Sequence, residues 1–302
     1  MKLLVSPAPH KISSQSVNDM YITISIALFA CLSVGFINYG VNVLLIVATA
    51  VLSALASEIL FNLIKTRQFD FPNLSCIVTG LVVACISPIN MPWYFAAVAS
   101  VIAIGSKYLF GGIGNNLFNP SALARSVLGC LALGFSFDYF GEGNTALKLI
   151  LTGEKGSLEL AKLFTGEVAG AIGTTCIIII LIAMVALIVL KVIRLESVAF
   201  ALLSFCAVIW IAMGFENILP MLLSGSFLFV VVFMLGDPTT SSYSFSGRCV
   251  YAIVFGVIAA LTMSHNVFGE SAVFFALLIA NLFAPMADRV FSIFHRGVKL
   301  ND

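Results

Sequence analysis

The sequence predicts an all-α polytopic membrane protein with about ten transmembrane helices in two inverted five-helix halves. Three observations carry that expectation. Apolar residues make up 61% of the chain and charged residues 10%, against roughly 25% charged in a soluble domain. Apolar runs of bilayer-crossing length follow one another with short breaks. One long polar stretch, 136–168, divides those runs five and five.

A helix needs about 20 mostly apolar residues to cross the hydrocarbon core. Lipid offers no partner to open backbone groups, which favours helices. The first five qualifying runs are 20–38, 41–64, 71–89, 91–110 and 117–135. After the polar stretch come 169–193, 196–214, 217–236, 248–267 and 271–292. Breaks as short as Asn38-Tyr39-Gly40 and Pro88-Ile89-Asn90-Met91-Pro92 imply antiparallel neighbours. The expected organisation is a cytoplasmic N-terminal segment 1–19, a first half 20–135, an external loop 136–168, a second half 169–292 and a cytoplasmic tail 293–302. The N-terminal segment is polar and unlike a signal peptide.

Basic residues mark the cytoplasmic side of membrane proteins. With the N-terminus inside, eleven Lys and Arg fall on inside segments: Lys2, Lys11, Lys65, Arg67, Lys107, Lys191, Arg194, Arg248, Arg289, Arg296 and Lys299. Three fall outside, Lys148, Lys155 and Lys162, all in the long loop. That bias places both termini inside and the loop outside. Five spans per half would make any internal repeat an inverted one. Thr79-Gly80 with Ser87-Pro88 in span three is matched by Ser224-Gly225-Ser226 with Asp237-Pro238 at span eight. The further echo of Asn116-Leu117-Phe118-Asn119-Pro120 in Asn281-Leu282-Phe283-Ala284-Pro285 puts both copies on one side, which inversion does not explain, and we read it as coincidence.

Seven cysteines stand singly in apolar segments, with no C-x-x-C pair. They read as small apolar residues at helix interfaces, and no metal site is expected. His10, His265 and His295 lie at membrane edges without ligand spacing. A net charge of +1 without a basic patch gives no indication of nucleic acid binding.

Four residues inside or beside the spans are candidates for a buried ligand or ion site. A charge within a span costs several kcal/mol unless paired or wetted. Arg125 in span five either reaches back to the interface or pairs with a cofactor edge or with Glu58. Glu58, the one acid well inside an early span, is either a proton or cation relay or the partner of a nearby base. Asn119 and Asp237 each precede a proline, which removes a backbone donor and frees a carbonyl. Each break is a helix end or the lining of a polar cavity.

Four stretches stand out together: Ser6-Pro7-Ala8-Pro9-His10; Lys107-Tyr108-Leu109-Phe110-Gly111-Gly112 with Asn116 to Arg125; the external loop; and Leu235-Gly236-Asp237-Pro238-Thr239-Thr240-Ser241 with Gly247-Arg248. Together they resemble the D subunit of the Rnf complex, a family shared with the B subunit of the sodium-pumping NADH:quinone reductase. The second is the most specific. The quinone-reductase subunit carries a longer N-terminal extension, so the Rnf subunit is the nearer match.

The family's loop carries a Ser/Asp-Gly-Ala-Thr motif whose threonine is esterified to the phosphate of FMN by a flavin transferase. The matching residues are Glu142-Gly143-Asn144-Thr145, with Glu for Ser or Asp and Asn for Ala. The resemblance therefore implies covalent FMN on Thr145, with Gly143 and Asn144 supporting the turn. Read without it, Thr145 is an N-cap for the helix that follows. The resemblance further implies a non-covalent riboflavin in the bundle and electron relay between ferredoxin and NAD with Na⁺ or H⁺ translocation. The expected partners are other Rnf subunits, including an externally exposed FMN-bearing one, and membrane lipid. The expected location is a bacterial or archaeal cytoplasmic membrane. A channel or transporter for a small polar solute, or a subunit of a sodium-pumping quinone reductase, is the alternative.

Overall fold

The computed structural model describes residues 16–67, 72–88, 90–110, 116–135, 146–153, 160–168 and 170–298. All named elements there are helical. The first half holds α1 (Val17–Tyr39), α2 (Asn42–Thr66), α3 (Leu74–Cys85), α4 (Trp93–Leu109) and α5 (Pro120–Phe135). Two short helices, α6 (Ala146–Thr152) and α7 (Leu160–Thr165), belong to the polar stretch. The second half holds α8 (Ile177–Val189), α9 (Leu195–Met213), α10 (Ile218–Leu223), α11 (Phe227–Phe233), α12 (Phe245–Ser264) and α13 (Ala272–Val298).

Every apolar run forms helix, yet the spans are less uniform than the sequence implies. Among the described residues, five helices are long and apolar enough to cross a membrane (α1, α2, α9, α12 and α13), or six if the bent pair α10–α11 counts as one. Span three stops after 12 residues, about 18 Å of helix. The chain then runs through Ile86 to Pro88 without helix, because proline has no N–H to continue the ladder. Span six is likewise non-helical before Ile177. The two interruptions satisfy each other: Ile172 N–H donates to the Ser87 carbonyl (3.0 Å) and Gly173 N–H to that of Cys85 (2.8 Å). Irregular backbone deep in a bundle requires such internal partners. A Cβ on Gly173 would lie 2.6 Å from that of Cys85, so only glycine admits this approach. Span eight breaks by 60° between α10 and α11, where Gly225 takes φ +63, a conformation glycine adopts without cost.

Helix boundaries follow local chemistry. Ser16 and Asp19 form a reciprocal capping box at the start of α1. Pro120 opens α5 where a missing N–H costs nothing, and Asn119 Oδ1 accepts from Ala122 N (3.2 Å). Asp288 of α13 accepts from the Tyr243 and Ser244 N–H groups (2.9 and 3.0 Å) and from the Ser244 hydroxyl (2.7 Å), fastening α13 to the start of α12. Asp288→Ala strands these donors and is expected to cost about 2–3 kcal/mol. Thermal unfolding in detergent checks this, with Asp288→Asn falling between the two.

Packing repeats between the halves. α2 lies against α3 and α4, and α4 against α5; α9 lies against α12, and α12 against α13. α1 against α8 and α5 against α13 join them. The second half centres on Phe205, Phe227 and Phe255, with centroid separations of 3.8 and 5.7 Å. Gly256 brings α12 onto α9, since a Cβ there would lie 2.5 Å from the Ala201 carbonyl oxygen.

Candidate functional site

A cavity of about 180 Å³ lies where the beginning of α1, α3, α4, the start of α5 and the end of α11 converge. Its walls are largely aliphatic, with Ile24, Val78, Val82, Ile193 and Val232 among them. The polar contributions are few and come from separate elements. Lys107 of α4 is buried at 3% exposure. Its ammonium donates to the Ser75 carbonyl (3.2 Å), the Ser75 hydroxyl (2.9 Å) and the Thr79 hydroxyl (2.7 Å). Ser75 and Thr79 sit four apart on α3 and so share one face. The ammonium is thus held by neutral oxygens at a cavity wall.

Asn119 and Asp237, the two residues preceding the proline breaks, line this same cavity. Asn119 Nδ2 reaches the Met234 carbonyl (3.4 Å), tying the start of α5 to the end of α11. Asp237, in the loop after α11, accepts from Thr239 N (3.0 Å) and the Thr239 hydroxyl (2.9 Å). Burial pushes its carboxyl above the ordinary carboxylate range, opposed by the two Thr239 bonds and by the charge of Lys107. Asn116 contributes a buried Oδ1 with no partner among the described residues.

The other two candidate residues lie elsewhere. Glu58 of α2 is 1% exposed; Asn73 and Tyr108 lie beside its carboxyl, and Lys107 is within electrostatic reach. Arg125 is buried on α5 near Ser87, Pro88 and Met91, away from the central cavity. Thr145, Gly143 and Asn144 lie outside the described residues. Their neighbour Ala146 begins α6 and is buried, and α6 lies against α10. The stretch after it is tied to the far end of α1: Asn38 Nδ2 donates to the Gly166 carbonyl (3.0 Å) and the Tyr39 hydroxyl to that of Val168 (2.9 Å). From Ile24 at the cavity to Asn38 is about 20 Å along the helix.

Lys107 is the residue that charge counting misassigns. Its place near the end of a span puts it with the inside loop charges, yet its side chain turns into the bundle toward Ser75 and Thr79. Those two hydroxyls and Thr239 are further site residues that the sequence reading does not single out. The i, i+4 placement of Ser75 and Thr79 on an apolar helix is the available signal.

These features define a polytopic helical membrane protein with a buried polar-edged cavity at one end of the bundle. Residues 4–294 match the model of the NQR2, RnfD, RnfE family, and the chain belongs to that family. It is 30% identical to the D subunit of the Na(+)-translocating ferredoxin:NAD(+) oxidoreductase complex of Acetobacterium woodii, over 96% of this chain and 93% of that one. Identity is 24% to the D subunit of the proton-translocating ferredoxin:NAD(+) oxidoreductase complex of Clostridium ljungdahlii, over 94% and 93% respectively. It is 27% to the B subunit of the Na(+)-translocating NADH-quinone reductase of Chromohalobacter salexigens, over 78% of this chain and 61% of the relative.

Proposed function

We propose that this protein is a membrane flavoprotein subunit of an ion-translocating ferredoxin:NAD oxidoreductase, relaying electrons between flavins at opposite ends of the bundle. The observation that carries this reading is similarity along nearly the whole chain to the D subunits of two such complexes. The paired packing of the halves supports two inverted five-helix repeats, with the short α3 and α8 and the bent α10–α11 counted as spans. The basic-residue bias supports cytoplasmic termini and an external 136–168 loop.

Thr145 would carry FMN as a phosphoester, made by a flavin transferase on the outer face, with Gly143 and Asn144 giving the turn its freedom. The central cavity suits a second, non-covalent flavin such as riboflavin. Its aliphatic walls match a flat ring, the unpartnered Asn116 Oδ1 offers an acceptor to the ring's polar edge, and the Lys107 ammonium adds a positive charge to the wall. A bound flavin supplies the electron chemistry. The residues' contributions are separable. Lys107 favours negative charge in the cavity, Asn119 holds α5 to α11 around it, and Asp237 brings a titratable carboxyl to its edge. Glu58 and Arg125 remain assigned to a buried ion or ligand site, Glu58 as relay and Arg125 as a charge partner.

The other subunits of the complex, among them an externally exposed FMN-bearing one, would meet the loop face. Acid extraction of the purified, native subunit should release about one equivalent of flavin while the protein pellet stays yellow. A colourless pellet and colourless supernatant would instead support a solute channel.

A further inference from the structure

A second, wider chamber of about 590 Å³ adjoins the central cavity, and Asn116 and Thr239 line both. Its mouth is formed by the exposed residues Leu117, Tyr243 and Arg289. Deeper in, Thr240 and Asn281 are 5% and 1% exposed. The Thr240 hydroxyl and Asn281 Nδ2 have no hydrogen-bond partner among the described residues. The Tyr251 hydroxyl donates to Asn281 Oδ1 (2.7 Å) and so fixes which amide atom is left over. Pro285, one turn on in α13, lacks the N–H that would otherwise close on the Asn281 carbonyl. Asn116 adds its buried Oδ1 from the opposite wall. Leaving such atoms without partners is costly, and polar sites this roomy recover that cost by holding water.

The repeated Asn-Leu-Phe-x-Pro segments thus meet in space: Asn116 and Leu117 face Asn281, Ala284 and Pro285 across one chamber. Each segment's asparagine brings a polar side chain to this space; Pro285 lies on its wall, and Pro120 lines the adjoining cavity.

We propose that this chamber is a hydrated vestibule through which water and protons pass between the aqueous phase and the central cavity. The polar mouth sets it at the water-facing end of the bundle, on the side where α1 begins and α13 ends. Its wall carries one unpartnered donor, one acceptor and one hydroxyl able to be either, a set suited to water rather than to a bare cation. Resting on the flavin reading, the vestibule balances charge: each pair of electrons entering a ring in the cavity draws up to two protons inward, and the same protons leave when the electrons move on.

The test uses the intact complex in vesicles of both orientations, with Cys130, Cys206 and Cys249 replaced by alanine. Thr240→Cys, and separately Ser241→Cys nearer the mouth, are treated with a charged, membrane-impermeant methanethiosulfonate reagent. Ser100→Cys, fully buried and outside the chamber, is the control. Labelling of Thr240→Cys from the side of the termini only, at least tenfold faster than the control, is expected. Failure of both chamber cysteines to label, or labelling of Thr240→Cys from the loop side, overturns the proposal. In the Thr240→Val/Asn281→Leu variant the reduction rate of extractable flavin should fall at least tenfold with its content unchanged. An unchanged rate overturns the proton route. Absence of extractable flavin from the unsubstituted complex would instead remove the flavin reading and, with it, the charge-balancing role, while the labelling result still decides whether the chamber is wet.

Discussion

Thr145→Ala is expected to abolish covalent flavin on this subunit. On a denaturing gel the variant's band should lose all ultraviolet fluorescence, while the protein continues to insert and assemble. The reasoning is chemical: a phosphoester requires a side-chain hydroxyl, and alanine has none. The following residue, Ala146, is already buried at the start of α6, so truncation at 145 leaves the packed part of the loop intact. Electron transfer through the complex should fall to background. Thr145→Ser keeps a hydroxyl and separates chemistry from folding: a fluorescent serine variant beside a dark alanine variant identifies the attachment site. Fluorescence that survives in the alanine variant would mean that the flavin is attached elsewhere on the chain.

Lys107→Met is the second large effect, and it should lower both stability and flavin retention. The ammonium is buried, donates to Ser75 and Thr79 oxygens, and lies within electrostatic reach of the buried carboxyls of Glu58 and Asp237. Removing one charge from such a buried set leaves the others uncompensated, at a cost of up to about 3–5 kcal/mol. Thr79 keeps its own bond to the Ser75 carbonyl (2.8 Å), so its hydroxyl is not stranded. The melting temperature in detergent should fall. Retention of extractable flavin should fall as well, by roughly tenfold or more in affinity (about 1.4 kcal/mol), because a buried cation at the wall favours negative charge in the cavity. A variant that melts lower and keeps its flavin would show Lys107 to be structural. Lys107→Arg is not a conservative control, since the larger planar guanidinium does not match the Ser75/Thr79 cradle.

Much of this architecture is legible in the sequence because lipid imposes a simple rule on hydrophobic runs. Every run becomes helix, and the breaks at Asn119-Pro120 and Asp237-Pro238 line one cavity, although they lie over a hundred residues apart. Helix length is not legible. Pro88 marks a stop for span three, but that the chain can leave the helix as early as Cys85 depends on Ile172 and Gly173 supplying donors to the Ser87 and Cys85 carbonyls, and that is a contact between distant residues. The bend at Gly225 likewise needs a partner helix to fix it. Lys107 escapes for a related reason: a lysine near a helix end looks the same in sequence whether it turns to water or to two hydroxyls on a neighbour. Glu58 stands out as an unusual residue, but its electrostatic neighbour Lys107 does not.

The Asn-Leu-Phe-x-Pro echo shows the converse. Its two copies are evident in the sequence and make no sense under inverted topology, yet tertiary packing of α5 against α13 sets them across one chamber. The residue-level signal is present, and its meaning depends on geometry.

The proposed flavin on the 136–168 loop is what would most distinguish this subunit from a solute channel. Intact-mass measurement of the purified, denatured wild-type chain tests it most directly. The expected mass is that of the sequence plus one FMN phosphoester, reverting to the sequence mass alone in Thr145→Ala. A wild-type chain found at its unmodified mass, purified from cells that make the flavin transferase, would contradict it.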